Sequence, residues 1–395
     1  MTRRPRLIYV ASSFPYGRND TFFGPEVREL DRQGVELLVV PMRPRGELTT
    51  GDAARWSVQK PLLDREIVLH ALAEALRAPR RTLSLLQLLL RSPAPKVLAR
   101  NLAAFPKALW LARLARRWNA DHIHAHWAGP PSTAGMLAAR LSGVPWSFTA
   151  HATEIYANNL LDEKCRSAAF VRFVALAMME RARQAAPGVD ESRWTLLRLG
   201  LELPAERPLP VNDPAVLLLA ASFTGGKGHL VLLDAVRRLA AEGQRLEVWF
   251  AGTGPHAEET ARHAHRLGLD EMVRFHGYVP NAEVLDWLAS GKVDVVVLPS
   301  DSEGVPVSLI EALAYGVPAV GSGVGGVPEL LGEGCGELVP PRDHAALAAA
   351  LAGLLASPER RAGYARAGRA RVERDFAVEG VVARLRELMG FGTGE

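Results

Sequence analysis

The stretch Leu298-Pro-Ser-Asp-Ser-Glu303-Gly-Val-Pro-Val-Ser-Leu-Ile-Glu311-Ala-Leu-Ala-Tyr-Gly-Val-Pro318 decides how this chain is read. The run Val293–Pro299 has the length and β-branched content of a buried parallel strand. A polar loop with Glu303 and Gly304 follows it. A helix is expected from near Pro306, because proline suits a first turn, and Glu311 then lies about one turn in. The N–H groups and positive dipole end of such a helix form an anion site. A glycine beside it lets a ligand approach the backbone closely. Two carboxylates, one before the helix and one inside it, can each accept paired hydrogen bonds from sugar hydroxyls. Strand, loop and helix start together read as a cradle for a nucleotide sugar. Taken singly, Glu303 reads as a helix cap and Glu311 as a solvated surface residue.

Outward from this stretch, short apolar runs alternate with helical patterns, the mark of parallel α/β units. In the front half the strand candidates are Leu7–Phe14, Val35–Met42, Asp121–Trp127, Pro145–Ala150, Val171–Ala177 and Trp194–Leu199. The back half supplies Val216–Ser222, Leu246–Ala251, Met272–Phe275, Val293–Pro299, Pro318–Gly321 and Gly336–Val339. Helical patterns such as Gly228–Glu242 and Ala345–Ala356 fall between them. Two doubly wound domains are expected. Leu203–Asp213, with three prolines and no apolar period, reads as the linker. Asp64–Trp118 reads as helical elaboration of the first domain.

A chain of 395 residues is long enough for two domains. With 23% charged and 48% hydrophobic residues it is neither disordered nor fibrous. The net charge of +4 conceals an asymmetry. Residues 1–200 carry 29 Lys/Arg against 17 Asp/Glu, and residues 201–395 carry 18 against 26. The segment 65–117 alone has 11 basic and 2 acidic residues. Its Leu/Ala and Arg/Lys pattern suits a peripheral helix on an anionic bilayer, or a solvated face on core helices. No recognition motif accompanies the charge, so nucleic acid is not expected. Cys165 and Cys335 cannot make a disulfide framework or a four-thiolate zinc site, which fits a reducing compartment. Leu7–Ala11 is too short for a signal-peptide core, and no run reaches the roughly 18 apolar residues of a membrane span. A cytoplasmic protein is expected, with any membrane contact peripheral on the inner face.

The string Leu298–Pro318 resembles the signature of the family-4 retaining glycosyltransferases. The likeness continues through Gly325-Gly326-Val327-Pro328-Glu329 and Gly336-Glu-Leu-Val-Pro-Pro-Arg-Asp343, about 45 residues in all. It implies the GT-B fold, two facing Rossmann-like doubly wound domains with a cleft between them. Residues 1–205 would form the acceptor-binding domain, with its basic helical insertion at about 64–118. Residues 206–375 would bind the nucleotide sugar, and 376–395 would form a helix, Phe376–Met389, crossing back to the first domain. Lys227 in Gly225-Gly-Lys-Gly228 matches the family's phosphate-binding lysine. Ser222 stands where the family usually has arginine. The donor set implied is Ser222, Lys227, Glu303, Gly304, Val305, Pro306, Ser308, Leu309 and Glu311. Ala251-Gly-Thr-Gly-Pro255 resembles a structural turn of the family, with Thr253 in place of its acid.

In the front half, Ser13-Phe-Pro-Tyr-Gly-Arg-Asn-Asp20-Thr21-Phe22-Phe23-Gly24-Pro25-Glu26 resembles the branch acting in exopolysaccharide and cell-envelope glycan assembly. That likeness implies acceptor contacts from Asp20, Thr21 and Phe22. In Asp121-His-Ile-His-Ala-His126-Trp127 a strand would set His122, His124 and His126 on one face, as three zinc-ligating imidazoles need. The run sits at a strand end, where the family has a histidine without metal. No metal site is therefore expected, with His126 on the acceptor side and His122 and His124 packing. His151 follows the strand Pro145–Ala150, and ligand sites of open parallel sheets lie at such ends. It resembles the family histidine that contacts the transferred sugar.

The resemblance implies catalysis by His151, Glu303 and Lys227, and hexosyl transfer with retention. The sequence has no Asp-x-Asp pair to hold a divalent cation on a diphosphate, so Lys227 and the helix amides are expected to neutralise the leaving group. The expected donor is a UDP-sugar, the commonest in the family. The expected acceptor is a bacterial surface polysaccharide or lipid-linked glycan, and membrane contact would come through 65–117. Three other readings stand beside it: transfer to a soluble antibiotic-like acceptor, sugar-nucleotide epimerisation on the same scaffold, and a non-catalytic sugar-nucleotide-binding protein.

Overall fold

The structure, a computed structural model, describes residues 3–17, 21–49, 51–62, 64–205 and 212–392. The chain divides into two compact units, Met1–Leu201 with Val378–Glu395, and Glu202–Ala377. Part of the expected linker lies outside the described residues.

Unit 1 holds a six-stranded parallel sheet of β1 (Arg6–Ala11), β2 (Glu36–Pro41), β3 (His122–His126), β4 (Trp146–Ala150), β5 (Val171–Phe173) and β6 (Trp194–Leu196). Their order is β2-β1-β3-β4-β5-β6. Leu7 to Ala11 are wholly buried, as a strand covered on both faces requires. The run expected as a strand to Ala177 stops at Phe173, and a helix starts at Leu176. Leu176-Ala-Met-Met-Glu-Arg-Ala is made of strong helix formers, which decides that boundary.

Unit 2 repeats the plan with β7 (Ala215–Ala220), β8 (Leu246–Ala251), β9 (Val273–Gly277), β10 (Val295–Leu298), β11 (Ala319–Ser322) and β12 (Glu337–Val339), in the order β12-β11-β10-β7-β8-β9. In each sheet the chain first builds outward on one side of its starting strand and then on the other. The order reverses between β1 and β3 in unit 1, and between β7 and β10 in unit 2. Loops leaving neighbouring strands diverge there and open a crevice at the carboxyl ends.

The segment after residue 64 forms three helices, Arg65–Arg77, Pro79–Leu89 and Pro95–Arg117. Asp64 caps the first through the Glu66 amide at 2.9 Å. The helix Val378–Leu388 belongs to unit 1, where Val378, Val382 and Leu385 join the core formed with Val27 and Leu30. No described helix is long and apolar enough to cross a membrane.

Candidate active site

In unit 2, two loops leave the sheet at its reversal point. The loop after β7 carries Lys227 and the loop after β10 carries Glu303. Gly228 has φ +77, and a Cβ there would meet Pro299 O at 2.1 Å. Asp301 N donates to Gly226 O at 2.8 Å. The two loops thus lie backbone against backbone, and Lys227 Nζ reaches Glu303 Oε1 at 2.7 Å. The loop with Glu303 is braced from the other side. Gly325 has φ +55, and a Cβ on it would come within 1.8 Å of Glu303 O. Gly326 N donates to Gly304 O at 2.8 Å. The glycine pair of the motif therefore shapes the loop that carries the carboxylate.

The helix begins at Val307, with Pro306 as its N-cap rather than in its first turn. Leu309 N and Ile310 N both donate back to Pro306 O, at 3.1 and 3.2 Å. Pro306 has no N–H. Leu309 is buried with its amide already bonded, so it offers a ligand nothing. Among the described residues, the amides of Val307 and Ser308 are the unpaired donors of this turn. Gly304, Val305 and Ser308 are half-buried around it. Glu311 is buried, not a solvated surface residue, and accepts from Asn281 Nδ2 at 2.8 Å. Burial pushes its carboxyl up to about 7, against the lowering effect of Asn281.

Ser222 is exposed, with its hydroxyl 3.2 Å from that of Thr224. A second cation stands on the same loop system: Arg342 bonds Asp301 Oδ2 at 2.8 Å, and a Cβ on Gly226 would lie 3.7 Å from Asp301 Cβ. The Ala251–Pro255 turn bonds the chain after β7, Phe223 N donating to Thr253 O at 3.0 Å.

In unit 1 the reversal point lies between β1 and β3, and a line of polar side chains marks it. Tyr9 Oη lies 2.6 Å from His126 Nδ1, and His126 Nε2 lies 2.9 Å from His151 Nε2. His126 has no exposed surface, so the expected acceptor contact at this position is not available; it stands behind His151, which is half-buried. Burial, with Arg172 adding to it, drops His151 to about 3. Burial, then His151 and Arg172, holds His126 well below its ordinary range. Both imidazoles are therefore neutral at pH 7. His151 N donates to Glu154 Oε2 at 3.0 Å, and burial raises that carboxyl to about 7.

Aromatic rings enclose the pair. Phe23 stacks on His126 at 4.0 Å, and Trp127 lies 4.4 Å from the His151 ring. Phe22 packs edge-on 5.8 Å from His151. Trp127 holds φ +84, a strained setting for a bulky residue. Asp20 lies outside the described residues, and the backbone of Thr21 forms a short 3-10 turn with Phe22 and Phe23. His122 and His124 point at strand β4: His122 Nε2 and His124 Nδ1 are each 2.8 Å from Ser147 Oγ, and His124 Nε2 is 2.9 Å from Thr149 Oγ1. These hydrogen bonds account for the histidine ladder as packing.

Several residues beside the site were not singled out by the sequence. Arg172 and Glu26 make a fully buried bidentate pair, both bonds 2.7 Å, and Gly200 N donates to Glu26 Oε1 at 2.7 Å. Their separation in sequence is 146 residues, and nothing local signals it. Tyr9 and Trp127 read simply as core and strand-end residues. Asn281 had a local signal, as the polar residue after Pro280 that opens the helix Asn281–Ala289.

Residues 205–371 match the family model described as glycosyl transferases group 1, and residues 90–182 match glycosyl transferase 4-like. The putative colanic acid biosynthesis glycosyltransferase WcaL of Escherichia coli is 31% identical over 51% of this chain and 52% of its own. The amylovoran biosynthesis glycosyltransferase AmsK of Erwinia amylovora is 31% identical over 52% of each. The chain thus spans about half the length of these curated relatives. Among solved structures, Anabaena HepE in complex with UDP and glucose superposes with a TM-score of 0.74 and 16% identity, over 97% of this chain and 99% of that one. This likeness shows the fold.

Proposed function

We propose that this chain, a member of the group 1 and 4-like glycosyltransferases with the GT-B fold, moves a hexosyl group from a nucleotide diphosphate sugar to an acceptor hydroxyl in bacterial surface polysaccharide assembly. The observation that carries the reading is the meeting of Lys227 and Glu303 at the sheet reversal of unit 2, beside a helix start with unpaired amides. Lys227 and the amides of Val307 and Ser308 hold the diphosphate, with charge supplied where the leaving group gains it. Arg342 is the second cation, in place of the arginine that Ser222 replaces. Glu303 and Glu311 accept from donor hydroxyls. A UDP-sugar is the donor, a reading supported by the UDP and glucose bound to HepE. No metal is required, because these groups meet the charge.

Unit 1 takes the acceptor, with Phe22 and Trp127 as apolar walls and neutral His151 as a hydrogen-bonding group beside them. The acceptor oxygen bonds to the anomeric carbon on the face the diphosphate leaves. The carbon–oxygen bond to phosphate breaks, and the acceptor proton passes to the departing phosphate oxygen. Configuration is retained without a covalent enzyme intermediate. A retaining hydrolase would need two carboxylates about 5 Å apart astride the bond, whereas Glu303 and Glu311 are engaged by Lys227 and Asn281. The names of WcaL and AmsK support an exopolysaccharide acceptor, here carried on a lipid at the cytoplasmic face of the membrane.

The test is incubation of purified protein with UDP-sugars and a lipid-linked glycan fraction, with the product anomer read by NMR. Retention supports the reading. Inversion, or a trapped glycosyl-enzyme, contradicts it. Donor converted without acceptor would assign an epimerase, and transfer to soluble acceptors alone would reassign the substrate.

A further inference from the structure

The helix Arg65–Arg77 is built with its polarity reversed. Its inward face carries Ile67, Ala71 and Glu74, and Glu74 is buried against Arg116. Its outward face carries Val68, Leu69, Leu72 and Leu76, at steps of three and four that align them in one ridge. Leu76 is 82% exposed, and Leu69 and Leu72 are 54% and 58%. Leu83 and Leu90, on and just after the helix Pro79–Leu89, are also more than half exposed. Exposed leucines scattered singly need no explanation, but a ridge along one helix face does.

The charge around the ridge has one sign. Arg65, Arg80 and Arg81 are exposed and make no ion pair among the described residues. The segment's only carboxylates are engaged elsewhere, Glu66 by Lys60 and Glu74 by Arg116 and Arg77. Not every basic residue is available: Lys107 is buried, donating to the carbonyls of Pro41 at 2.5 Å and Lys60 at 2.6 Å. What remains is an apolar ridge flanked by unneutralised guanidinium groups.

We infer that this ridge docks on an anionic lipid bilayer, the leucines entering the headgroup boundary and Arg65, Arg80 and Arg81 meeting lipid phosphates. A second copy of the chain would bring the same cations face to face, whereas an anionic leaflet complements both leucines and arginines. The inference rests on the proposed lipid-linked acceptor for its purpose, and it explains why the basic excess of the front half is concentrated here.

The test is flotation of the full chain with phosphatidylcholine vesicles, with and without phosphatidylglycerol, in the absence of donor and acceptor. Wild type should float with the anionic vesicles only and be released by high salt. A Leu72→Ser/Leu76→Ser variant and an Arg80→Glu/Arg81→Glu variant should each lose roughly tenfold or more in vesicle affinity, with unchanged melting temperatures and nucleotide-sugar binding. No flotation of wild type, or unchanged flotation of either variant, overturns the inference. So does a concentration-dependent dimer abolished by the leucine substitutions. Nucleotide-sugar binding, read separately, tells failure of the docking surface from failure of the glycosyltransferase reading.

Discussion

Lys227 Nζ lies 2.7 Å from Glu303 Oε1, so the cation proposed for the diphosphate is held by the carboxylate proposed for the sugar. Each then orients the other before a donor arrives. In the proposed donor complex an entering diphosphate would share Lys227 with Glu303, and a sugar hydroxyl would donate to the second oxygen of that carboxylate.

This coupling separates two substitutions. Glu303→Gln keeps the side-chain shape and removes the charge that competes for Lys227. UDP should bind it at least as tightly as wild type, while transfer falls by tenfold to a hundredfold, about 1.5–3 kcal/mol for hydrogen bonds to a charged group. Calorimetry with UDP and initial rates with UDP-sugar check this. A parallel loss of both would refute the division of roles.

Under the proposed donor role of Glu311, donor binding should depend on pH. Its carboxyl ionises near 7 because it is buried. The ionised form accepts hydroxyl hydrogen bonds better, so donor affinity should rise as pH increases through about 7. Glu311→Gln should abolish the transition. The stability linkage has the opposite sign. The folded state holds a proton that the unfolded chain releases above its ordinary 4.5, so this contribution is complete below 4.5 and fades as pH climbs through about 7. Titrations of affinity and of melting temperature across this range check both signs.

Tyr9 should set the tautomer of His151. With the phenol donating to His126 Nδ1, the proton of neutral His126 lies on Nε2 and is donated to His151 Nε2. His151 then carries its own proton on Nδ1. Tyr9→Phe should leave donor affinity unchanged, lower kcat by roughly tenfold, and move the His151 ring nitrogen resonances toward a mixture of tautomers. Unchanged resonances would contradict this assignment.

Gly325→Ala should damage the donor loop without touching a ligand group. The new Cβ falls on Glu303 O, and φ +55 itself costs about 1–2 kcal/mol for a residue with a side chain. A lower melting temperature together with lost UDP-sugar binding is expected. Retained binding would show that the loop is shaped otherwise.

Much of the fold was legible because buried parallel strands announce themselves as short β-branched runs, and each of the twelve expected runs contains or overlaps a strand. The meeting of the Lys227 and Glu303 loops was legible for a different reason: Gly228, Gly325, Lys227 and Glu303 sit in local motifs whose geometry is set within a few residues. The unit 1 site was only half legible. His151 could be placed at a strand end, but its partners come from β1 and β3, 142 and 25 positions earlier in the chain. His126 looked available because strand ends usually are, yet Phe23 and Tyr9 cover it. The outward leucines of Arg65–Arg77 were hidden too. Periodicity gives a helix an apolar face, and only packing shows which way that face points.

The central claim, a nucleotide-sugar site built on Lys227, is tested most directly by thermal melting with a panel of nucleotide sugars, on wild type and Lys227→Ala. A ligand bound only by the native state must raise the transition, by about 2.7 kcal/mol of stability at a hundred times Kd. The account predicts that a UDP-sugar raises the wild-type melting temperature by several degrees and leaves Lys227→Ala nearly unmoved at the same concentration. A flat response of wild type to every nucleotide sugar, or an equal shift in both proteins, would contradict it.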